Sequence, residues 1–165
     1  MALSLVRIDD RLIHGQVVEG WIPHLKAQLV LVVCDAAVED ELQLSLMRMA
    51  LPESVDFEAL TVARAAGHAA LKPDFPKRVL LLAPGPQEIL ALLEAGAGFS
   101  VVNVGGLHYT AGKVQLGKAI FLSAEDVAAL RAISRRGVKL EGRSLPSEPE
   151  EKVMEMLEGH REFHA

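Results

Sequence analysis

Runs of strand length made almost entirely of Val, Leu and Ile constrain the fold of this chain more than any other feature. Residues 28–34 (QLVLVVC) and 78–83 (RVLLLA) are apolar at consecutive rather than alternate positions. Strands of this composition are covered on both faces, as in parallel sheets flanked by helices. By the same criteria, strands are predicted at residues 3–8, 28–34, 55–60, 78–83, 100–104 and 138–140.

Segments with a helical spacing of apolar residues separate the predicted strands. Helices are predicted over residues 15–25, 39–51, 61–71, 86–95, 123–137 and 148–157. The helix over 39–51 has an apolar side formed by Leu42, Leu46, Met49 and Ala50. The alternation of strands and helices predicts an open, mostly parallel, doubly wound α/β sheet. We expect a single domain over residues 1–165, with a frayed tail at 160–165.

Composition and charge exclude several functional classes. The net charge is -5 and aromatic residues make up 4% of the chain, so the basic surface and stacking residues of nucleic-acid binders are missing. No apolar run reaches the length of a membrane span. The lone Cys34 cannot form an internal disulfide, which fits a cytoplasmic protein. Since the spacing typical of metal ligands is absent, neither a metal nor a cofactor is expected.

The most charged segment of the chain is residues 7–17 (RIDDRLIHGQV), which follows the first predicted strand. In an open α/β sheet, ligands bind at the loops that follow the strands. His14 lies where a helix begins, and unpaired N–H groups and the helix dipole favour an anion there. The guanidinium groups of Arg7 and Arg11 suit phosphate oxygens. A neutral imidazole beside such groups is what phosphorylation of a histidine requires.

Other polar loops are expected at the same edge of the sheet. Asp9 and Asp10 are placed to hold the arginines or the imidazole, and Asp35 follows the second strand. The segment Asn103-Val104-Gly105-Gly106 is a glycine-rich turn through which backbone N–H groups can approach a phosphate. His108 is a candidate second polar contact. The residues alone leave open whether His14 reacts or is a structural histidine, and whether the glycines form only a tight turn.

The segment RIDDRLIHGQV resembles the active-site segment of the IIB components of the mannose/fructose/sorbose family of the bacterial phosphotransferase system. Further segments resemble that family in the same order: Gly20-Trp21, residues 32–35 (VVCD), 102–106 (VNVGG), Gly112-Lys113 and 136–141 (RGVKLE). The resemblance therefore covers nearly the whole chain, and the length fits a B component alone.

The resemblance implies a cytoplasmic phosphocarrier, a transferase that associates peripherally with a membrane permease. It would receive a phosphoryl group from a phosphohistidine of a IIA partner and pass it to a sugar that enters through the membrane components IIC and IID. The phosphorylated residue would be His14, on Nδ1, with Arg11 as the phosphate contact. The other residues placed at the phosphate are Arg7, Gly15 and Gln16. The supporting residues are Asp9, Asp10, Asp35, Asn103, Gly105 and Gly106.

Two other functions remain open at this point. In the first, phosphorylation of His14 reports metabolic state to a regulator and does not feed sugar uptake. In the second, the chain is a small binding module for a phosphorylated metabolite, with His14 and Arg11 as ligands only. The sequence does not define the sugar, the oligomeric state (a homo-oligomer is one option) or the role of the loop at 107–117.

Overall fold

Seven strands form one mostly parallel sheet in the computed structural model, which describes residues 3–163. The strands of the chain are β1 (Leu3–Asp9), β2 (Leu29–Val33), β3 (Asp56–Leu60), β4 (Val79–Ala83), β5 (Val101–Gly106), β6 (Val114–Leu116), β7 (Ile120–Leu122), β8 (Lys139–Gly142) and β9 (Glu151–Lys152). The order across the sheet is β3-β2-β4-β1-β5-β8-β9, and β6 and β7 form a separate antiparallel pair. Only β9 runs antiparallel to its neighbour in the large sheet. The predicted α/β fold is confirmed.

Helices cover both faces of this sheet. A π-helical segment, Gln16–Trp21, leads directly into α1 (Ile22–Leu25). The others are α2 (Asp35–Val38), α3 (Glu41–Ala50), α4 (Val62–Ala66), α5 (Pro86–Glu94), α6 (Ala124–Arg135) and α7 (Val153–Glu158), with 3-10 turns at Ala69–Leu71 and Arg161–Phe163. A capping box begins α6: the Ser123 hydroxyl accepts from the Asp126 N–H, and the Asp126 carboxylate accepts from the Ser123 N–H. No helix among residues 3–163 is long and apolar enough to span a bilayer.

The two faces of the central strands pack into two separate apolar clusters. Along β4, Val79, Leu81 and Ala83 join one cluster, while Leu80 and Leu82 join the other. Since strand side chains alternate between faces, a strand that is apolar at every position is stable only with helices on both sides. This explains the consecutive apolar residues of β2 and β4, all of which are buried.

The topological switch point of the sheet lies between β1 and β5. The segment that follows β1 packs in the cluster that contains Val17 and Trp21, whereas α6, which comes after β5, packs in the opposite cluster through Leu130 and Ile133. Neighbouring parallel strands whose connections leave to opposite faces open a crevice at their carboxyl ends, where ligands bind in this class of fold. The charged segment at 7–17 lies at this crevice.

The predicted apolar side of the helix over 39–51 does not pack against the sheet. In α3, Leu42, Leu46 and Met49 are 71%, 57% and 80% exposed, and Met47 is the buried residue. Spacing alone identified a coherent face of the helix, but the connection from α2 turns Met47 toward the sheet. The apolar side is therefore on the surface.

The structure differs from the sequence prediction at several elements, most of them in the last third of the chain. The loop at 107–117 contains β6, which pairs with β7, and the helix expected at 148–157 is preceded by β9 and begins only at Val153. The helix expected over 61–71 is broken at Gly67 into α4 and a 3-10 turn. The frayed tail is wrong for 160–163, because Phe163 is 7% exposed and belongs to the apolar cluster that contains Leu130. His164 and Ala165 lie outside the described residues.

Candidate functional site

His14 and Asp9 form the central pair of the site. Asp9, the last residue of β1, is fully buried, and its Oδ2 lies 2.9 Å from Nε2 of His14. An ionised carboxylate can only accept hydrogen bonds, so the hydrogen-bond network assigns the ring proton to Nε2, which donates it to Asp9. The lone pair of the neutral ring is then on Nδ1. The His14 side chain is 16% exposed.

A strained residue returns the chain from β1 toward this pair. Leu12 has a positive φ of 58°, and its N–H donates to the Asp9 carbonyl over 3.0 Å. A left-handed conformation costs a non-glycine residue about 1–2 kcal/mol. Leu12 is 2% exposed and packs in the cluster with Val17 and Trp21, so burial of its side chain offsets that cost and fixes the loop that carries His14.

Arg11 lies at the mouth of the site. Its Nε and Nη2 atoms are 3.3 and 3.4 Å from the Asp9 carboxylate oxygens, and Nη2 also donates to Oε1 of Gln16 over 2.9 Å. The Arg11 side chain is 46% exposed, which leaves part of its guanidinium open to a ligand. Arg11, His14 and Gln16, predicted from one short motif, are brought together by the structure.

The helix start next to His14 also presents donors. The N–H groups of Val17 and Val18 already donate to the His14 carbonyl. The preceding N–H groups, on Gly15 and Gln16, stand at the beginning of the helix, where they have no intrahelical acceptor. A Cβ added to Gly15 would meet no atom within 4 Å, so the space above this helix start is open.

Arg7 is placed differently from the expectation that it contacts phosphate. Its side chain is fully buried, and its two Nη atoms donate to Asp9, to Asn103 and to the backbone carbonyls of Arg143 and Ser144. Position 7 of β1 points into the crevice beside β5, where these acceptors enclose the guanidinium. The structure therefore gives Arg7 a supporting position behind Asp9 and no open face for a phosphate.

The glycine-rich segment on β5 supports the site by close approach. Asn103 is fully buried and accepts from Arg7, and the Gly106 carbonyl accepts from the Asp10 N–H over 3.0 Å. A Cβ on Gly106 would lie 3.2 Å from Nη2 of Arg11. The turn predicted at residues 103–106 is wrong, because these residues belong to β5, where they shape the wall of the crevice.

Asp10 anchors the loop whose role the sequence left undefined. Its Oδ2 accepts from the backbone N–H of His108 over 2.8 Å and also pairs with Nδ1 of the His108 ring. The His108 side chain is 69% exposed. The adjoining Leu107 is held by hydrogen bonds to Ala119 and Phe121. His108 thus ties the loop to β1 and is not bonded to His14.

Asp35 lies at a different part of the same sheet edge. Its Oδ1 accepts from the Val62 N–H over 2.8 Å, and it lines a cavity of about 370 Å³ together with Cys34 and Glu88. Burial raises the pKa of the Glu88 carboxyl, and nearby Asp35 adds to that effect. Within residues 3–163, no hydrogen bond or ion pair joins Asp35 to His14. The predicted supporting role of Asp35 at His14 is not seen.

Sequence reasoning missed the segment that follows β8. The Ser144 carbonyl accepts from Arg7 and from the indole N–H of Trp21, the latter over 2.9 Å. The Arg143 carbonyl accepts from Arg7 over 2.9 Å. Backbone carbonyls carry no side-chain signature, so no pattern in the sequence could have identified these two positions.

The pH dependence of folding provides a test of the Asp9 environment. Burial raises the pKa of Asp9, but the hydrogen bond from His14 and the charges of Arg7 and Arg11 outweigh it, so the folded pKa lies below the ordinary value of 3.8. A depressed carboxyl pKa contributes stability that is present above the unfolded pKa and is lost as pH falls through the folded pKa. We expect the free energy of unfolding, measured with urea, to fall steeply below about pH 4. Asp9→Asn should flatten this acid limb, and an unchanged limb would contradict the assignment.

Comparisons with known proteins identify the family of this chain. Residues 3–165 match the family described as PTS system sorbose subfamily IIB component. The PTS system fructose-specific EIIB component of Bacillus subtilis (strain 168) is 35% identical over 158 residues, which cover 95% of this chain and 96% of that protein. The PTS system sorbose-specific EIIB component of Klebsiella pneumoniae is 31% identical over 157 residues, covering 95% and 96%.

Solved structures show the same fold. The crystal structure of the IIBSor domain of the sorbose permease from Klebsiella pneumoniae superposes with a TM-score of 0.89 at 31% identity, covering 96% of this chain and 98% of that one. The family match over residues 3–165 includes the whole segment 7–17 around His14. The chain therefore belongs to the sorbose subfamily of phosphotransferase-system IIB components.

Proposed function

We propose that His14 carries the phosphoryl group on Nδ1 and that Arg11 and the helix start beside it hold the phosphate. As a phosphotransferase-system IIB component, the chain takes a phosphoryl group from a IIA protein and passes it to a sugar, in a system completed by the membrane components IIC and IID. The observation that supports the site is the Asp9 carboxylate 2.9 Å from Nε2 of His14, because it directs the lone pair to Nδ1.

The transfer step needs alignment and charge stabilisation more than acid or base catalysis. The Nδ1 lone pair of His14 forms a bond to phosphorus while the P–N bond of the donor phosphohistidine breaks and returns its electron pair to the donor ring. Charge gathers on the three equatorial oxygens in between. Arg11, with its partly exposed guanidinium, and the N–H groups of Gly15 and Gln16 are placed to stabilise that charge.

Asp9 acts on the same step through the other ring nitrogen. Because Nε2–H of His14 remains donated to Asp9, the positive charge that develops on the ring as Nδ1 attacks is stabilised by a buried carboxylate. When the group leaves for the sugar, the same contact holds the ring in place. His14 thus works in both directions without exchange of its Nε2 proton.

The openness of the site fits a carrier. His14 is partly exposed, and a Cβ built on Gly15 would meet no neighbouring atom within 4 Å. A second protein must reach the phosphorus in line with the departing nitrogen, and a closed cleft would prevent this. We therefore propose that the same shallow crevice receives the IIA donor and then the membrane-bound acceptor in turn.

The names of the relatives support the proposed donor and acceptor of the phosphoryl group. The PTS system mannose-specific EIIAB component of Escherichia coli (strain K12) is 32% identical over 158 residues, which cover 95% of this chain and 49% of that protein. Its name joins an A part to a B part, and we propose that a IIA phosphohistidine protein is the donor here. Relatives named for fructose, mannose, sorbose and N-acetylgalactosamine make a hexose or hexose derivative the proposed acceptor. Transfer would take place at the cytoplasmic face of the permease.

Phosphoryl transfer from a IIA protein tests this function directly. Purified chain is incubated with a phosphorylated IIA protein of the mannose family, kept near neutral or alkaline pH because phosphohistidine is labile in acid, and weighed intact by mass spectrometry. The expected result is one added phosphoryl group that disappears when vesicles containing cognate IIC and IID and the sugar are supplied. A stable adduct that never reaches a sugar would favour a regulatory phosphoprotein, and no adduct would favour a binding module for a phosphorylated metabolite.

Arg11→Ala is expected to slow phosphoryl acceptance by about 10²-fold without destabilising the fold. Its side chain is half exposed, and its ion pair with Asp9 is worth about 0–1 kcal/mol at such a position. Quenched-flow measurement of the rate and thermal unfolding of the same samples check the two parts. Arg64→Ala, which removes an exposed arginine on α4, is the matched control and should leave the rate unchanged. Equal rates for both variants would remove Arg11 from the phosphate site.

A further inference from the structure

We propose that Arg7 is a positioning residue that keeps Asp9 a hydrogen-bond acceptor and so keeps the His14 proton on Nε2. Arg7 would control the reacting atom of His14 through Asp9, and its guanidinium would not touch the phosphate. The inference rests on the proposed function only in naming Nδ1 as the reacting atom. The control of the proton itself is a property of the unphosphorylated protein.

The position of the Arg7 guanidinium is fixed from several sides. Nη1 donates to Oδ1 of Asn103 over 2.6 Å and to the Arg143 carbonyl over 2.9 Å. Nη2 donates to Oδ2 of Asp9 over 3.0 Å and to the Ser144 carbonyl over 3.1 Å. Because the guanidinium is a rigid planar fork, acceptors on β1, β5 and the segment after β8 define one orientation.

The ring of Trp21 completes this enclosure. The Arg7 Cζ atom lies 5.1 Å from the centre of the indole, whose own N–H donates to the Ser144 carbonyl. The side chain of Arg7 has no exposed surface. Water therefore screens the charge of Arg7 far less than the charge of Arg11, whose side chain is 46% exposed. Arg7 is the principal buried positive partner of Asp9.

The charge on Asp9 decides which nitrogen of His14 can react. Burial works against ionisation of Asp9, and the His14 hydrogen bond and the charges of Arg7 and Arg11 work for it, which leaves the pKa of Asp9 lowered overall. If Asp9 took up a proton, its hydroxyl would donate to Nε2 of His14. The ring proton would then reside on Nδ1, and the lone pair needed to form the bond to phosphorus would be lost.

Gly105 provides the space for this arrangement. A Cβ built on Gly105 would lie 2.0 Å from Cζ of Arg7 and 2.2 and 2.3 Å from its two Nη atoms. Any other residue at position 105 would force the guanidinium out of its place against β5. The glycine pair at 105–106 thus has a physical reason that a plain tight turn would not require: one glycine admits Arg7 and the other lies against Arg11.

The test measures the position of the proton without any phosphate donor. Long-range proton–nitrogen NMR of ¹⁵N-histidine-labelled protein, recorded at alkaline pH where imidazole is neutral, distinguishes the Nε2–H from the Nδ1–H form of His14. Wild-type protein should show Nε2–H. Arg7→Met, similar in length and uncharged, should shift His14 toward the Nδ1–H form and slow phosphoryl acceptance by about 10²-fold. Arg7→Lys, which keeps the charge but not the fork, should fall between the two.

Two further variants keep the comparison decisive. Gly105→Ala leaves every charge in the chain but displaces the guanidinium, and it should move the His14 proton as Arg7→Met does. Ile133→Val removes a methyl group from the apolar cluster on the opposite face of the sheet without touching Arg7 or Asp9, and it should leave the proton on Nε2. If Arg7→Met does not fold, Gly105→Ala and Arg7→Lys are compared with Ile133→Val in the same way.

The outcomes separate this inference from the proposed function. A folded Gly105→Ala or Arg7→Met variant with His14 still in the Nε2–H form would overturn the role of Arg7, whatever the transfer rate. A shift of the proton in Ile133→Val as large as in Arg7→Met would mean that any loosening of the core moves the proton, and it would also overturn the role of Arg7. Wild-type protein that shows Nε2–H but accepts no phosphoryl group would contradict the proposed function and leave the control of the proton intact.

Discussion

Replacing His14 with alanine is expected to abolish phosphoryl acceptance while leaving the fold intact. The His14 side chain makes one hydrogen bond, to Asp9, which keeps its contacts with Arg7 and Arg11 when the imidazole is removed. Loss of one such bond costs about 1–3 kcal/mol, well within the stability of a domain of this size. Intact-mass analysis after incubation with phosphorylated IIA, with circular dichroism on the same sample, checks both parts.

His24→Ala is the matched control for this experiment. His24 is exposed and its ring lies perpendicular to that of Trp21, with 6.1 Å between the ring centres, so its removal should leave phosphoryl acceptance at the wild-type level. A His14→Ala variant that still gains one phosphoryl group at the wild-type rate would place the acceptor elsewhere, and His108 would be the next histidine to replace.

Asp9→Asn should reduce phosphoryl acceptance by about 10³–10⁴-fold, the second largest effect. The asparagine oxygen would turn to the arginines that Asp9 now serves, and its NH₂ group would face Nε2 of His14. An amide that donates to Nε2 favours the ring proton on Nδ1, the nitrogen that must be free to react. The variant also leaves Arg7 buried without an anion, which costs about 3–5 kcal/mol when one partner of a buried pair is removed.

Asp10→Asn separates the role of Asp9 from that of a nearby negative charge. Asp10 is adjacent in sequence but bonds to His108 and not to His14. Single-turnover rates should therefore fall only a few fold for Asp10→Asn, as expected when a nearby charge that does not touch the reacting ring is lost. Comparable losses for the two variants would mean that charge near the site, and not the orientation of the His14 ring, controls the step.

The parts of the molecule that sequence predicted best are those controlled by local pattern. The strands β2 and β4 are predicted correctly because burial on both faces requires apolar residues at every position. That pattern can be read from the five residues of each strand alone. Asp9, Arg11, His14 and Gln16 are predicted together because they lie close in sequence, between the last residue of β1 and the first residue of the helical segment Gln16–Trp21.

The parts that sequence could not predict depend on contacts between distant segments. The burial of Arg7 is decided by Asn103 and by two carbonyls more than 130 residues away. The exposure of Leu42 and Met49 depends on which side of α3 the chain turns toward the sheet, and helical spacing is the same for either choice. Asp35 follows a strand as predicted, but β4 lies between β2 and β1, so the two loops are not adjacent.

The nitrogen that carries the phosphoryl group is the measurement that tests the central claim most directly. Phosphorylated ¹⁵N-histidine-labelled protein, held at alkaline pH, shows by nitrogen–phosphorus coupling which ring atom is bound to phosphorus. The geometry predicts coupling at Nδ1 of His14, with Nε2 still protonated and facing Asp9. Phosphorus on Nε2 of His14, or on any other residue, would contradict the account, because the Asp9 hydrogen bond could not then be in place during transfer.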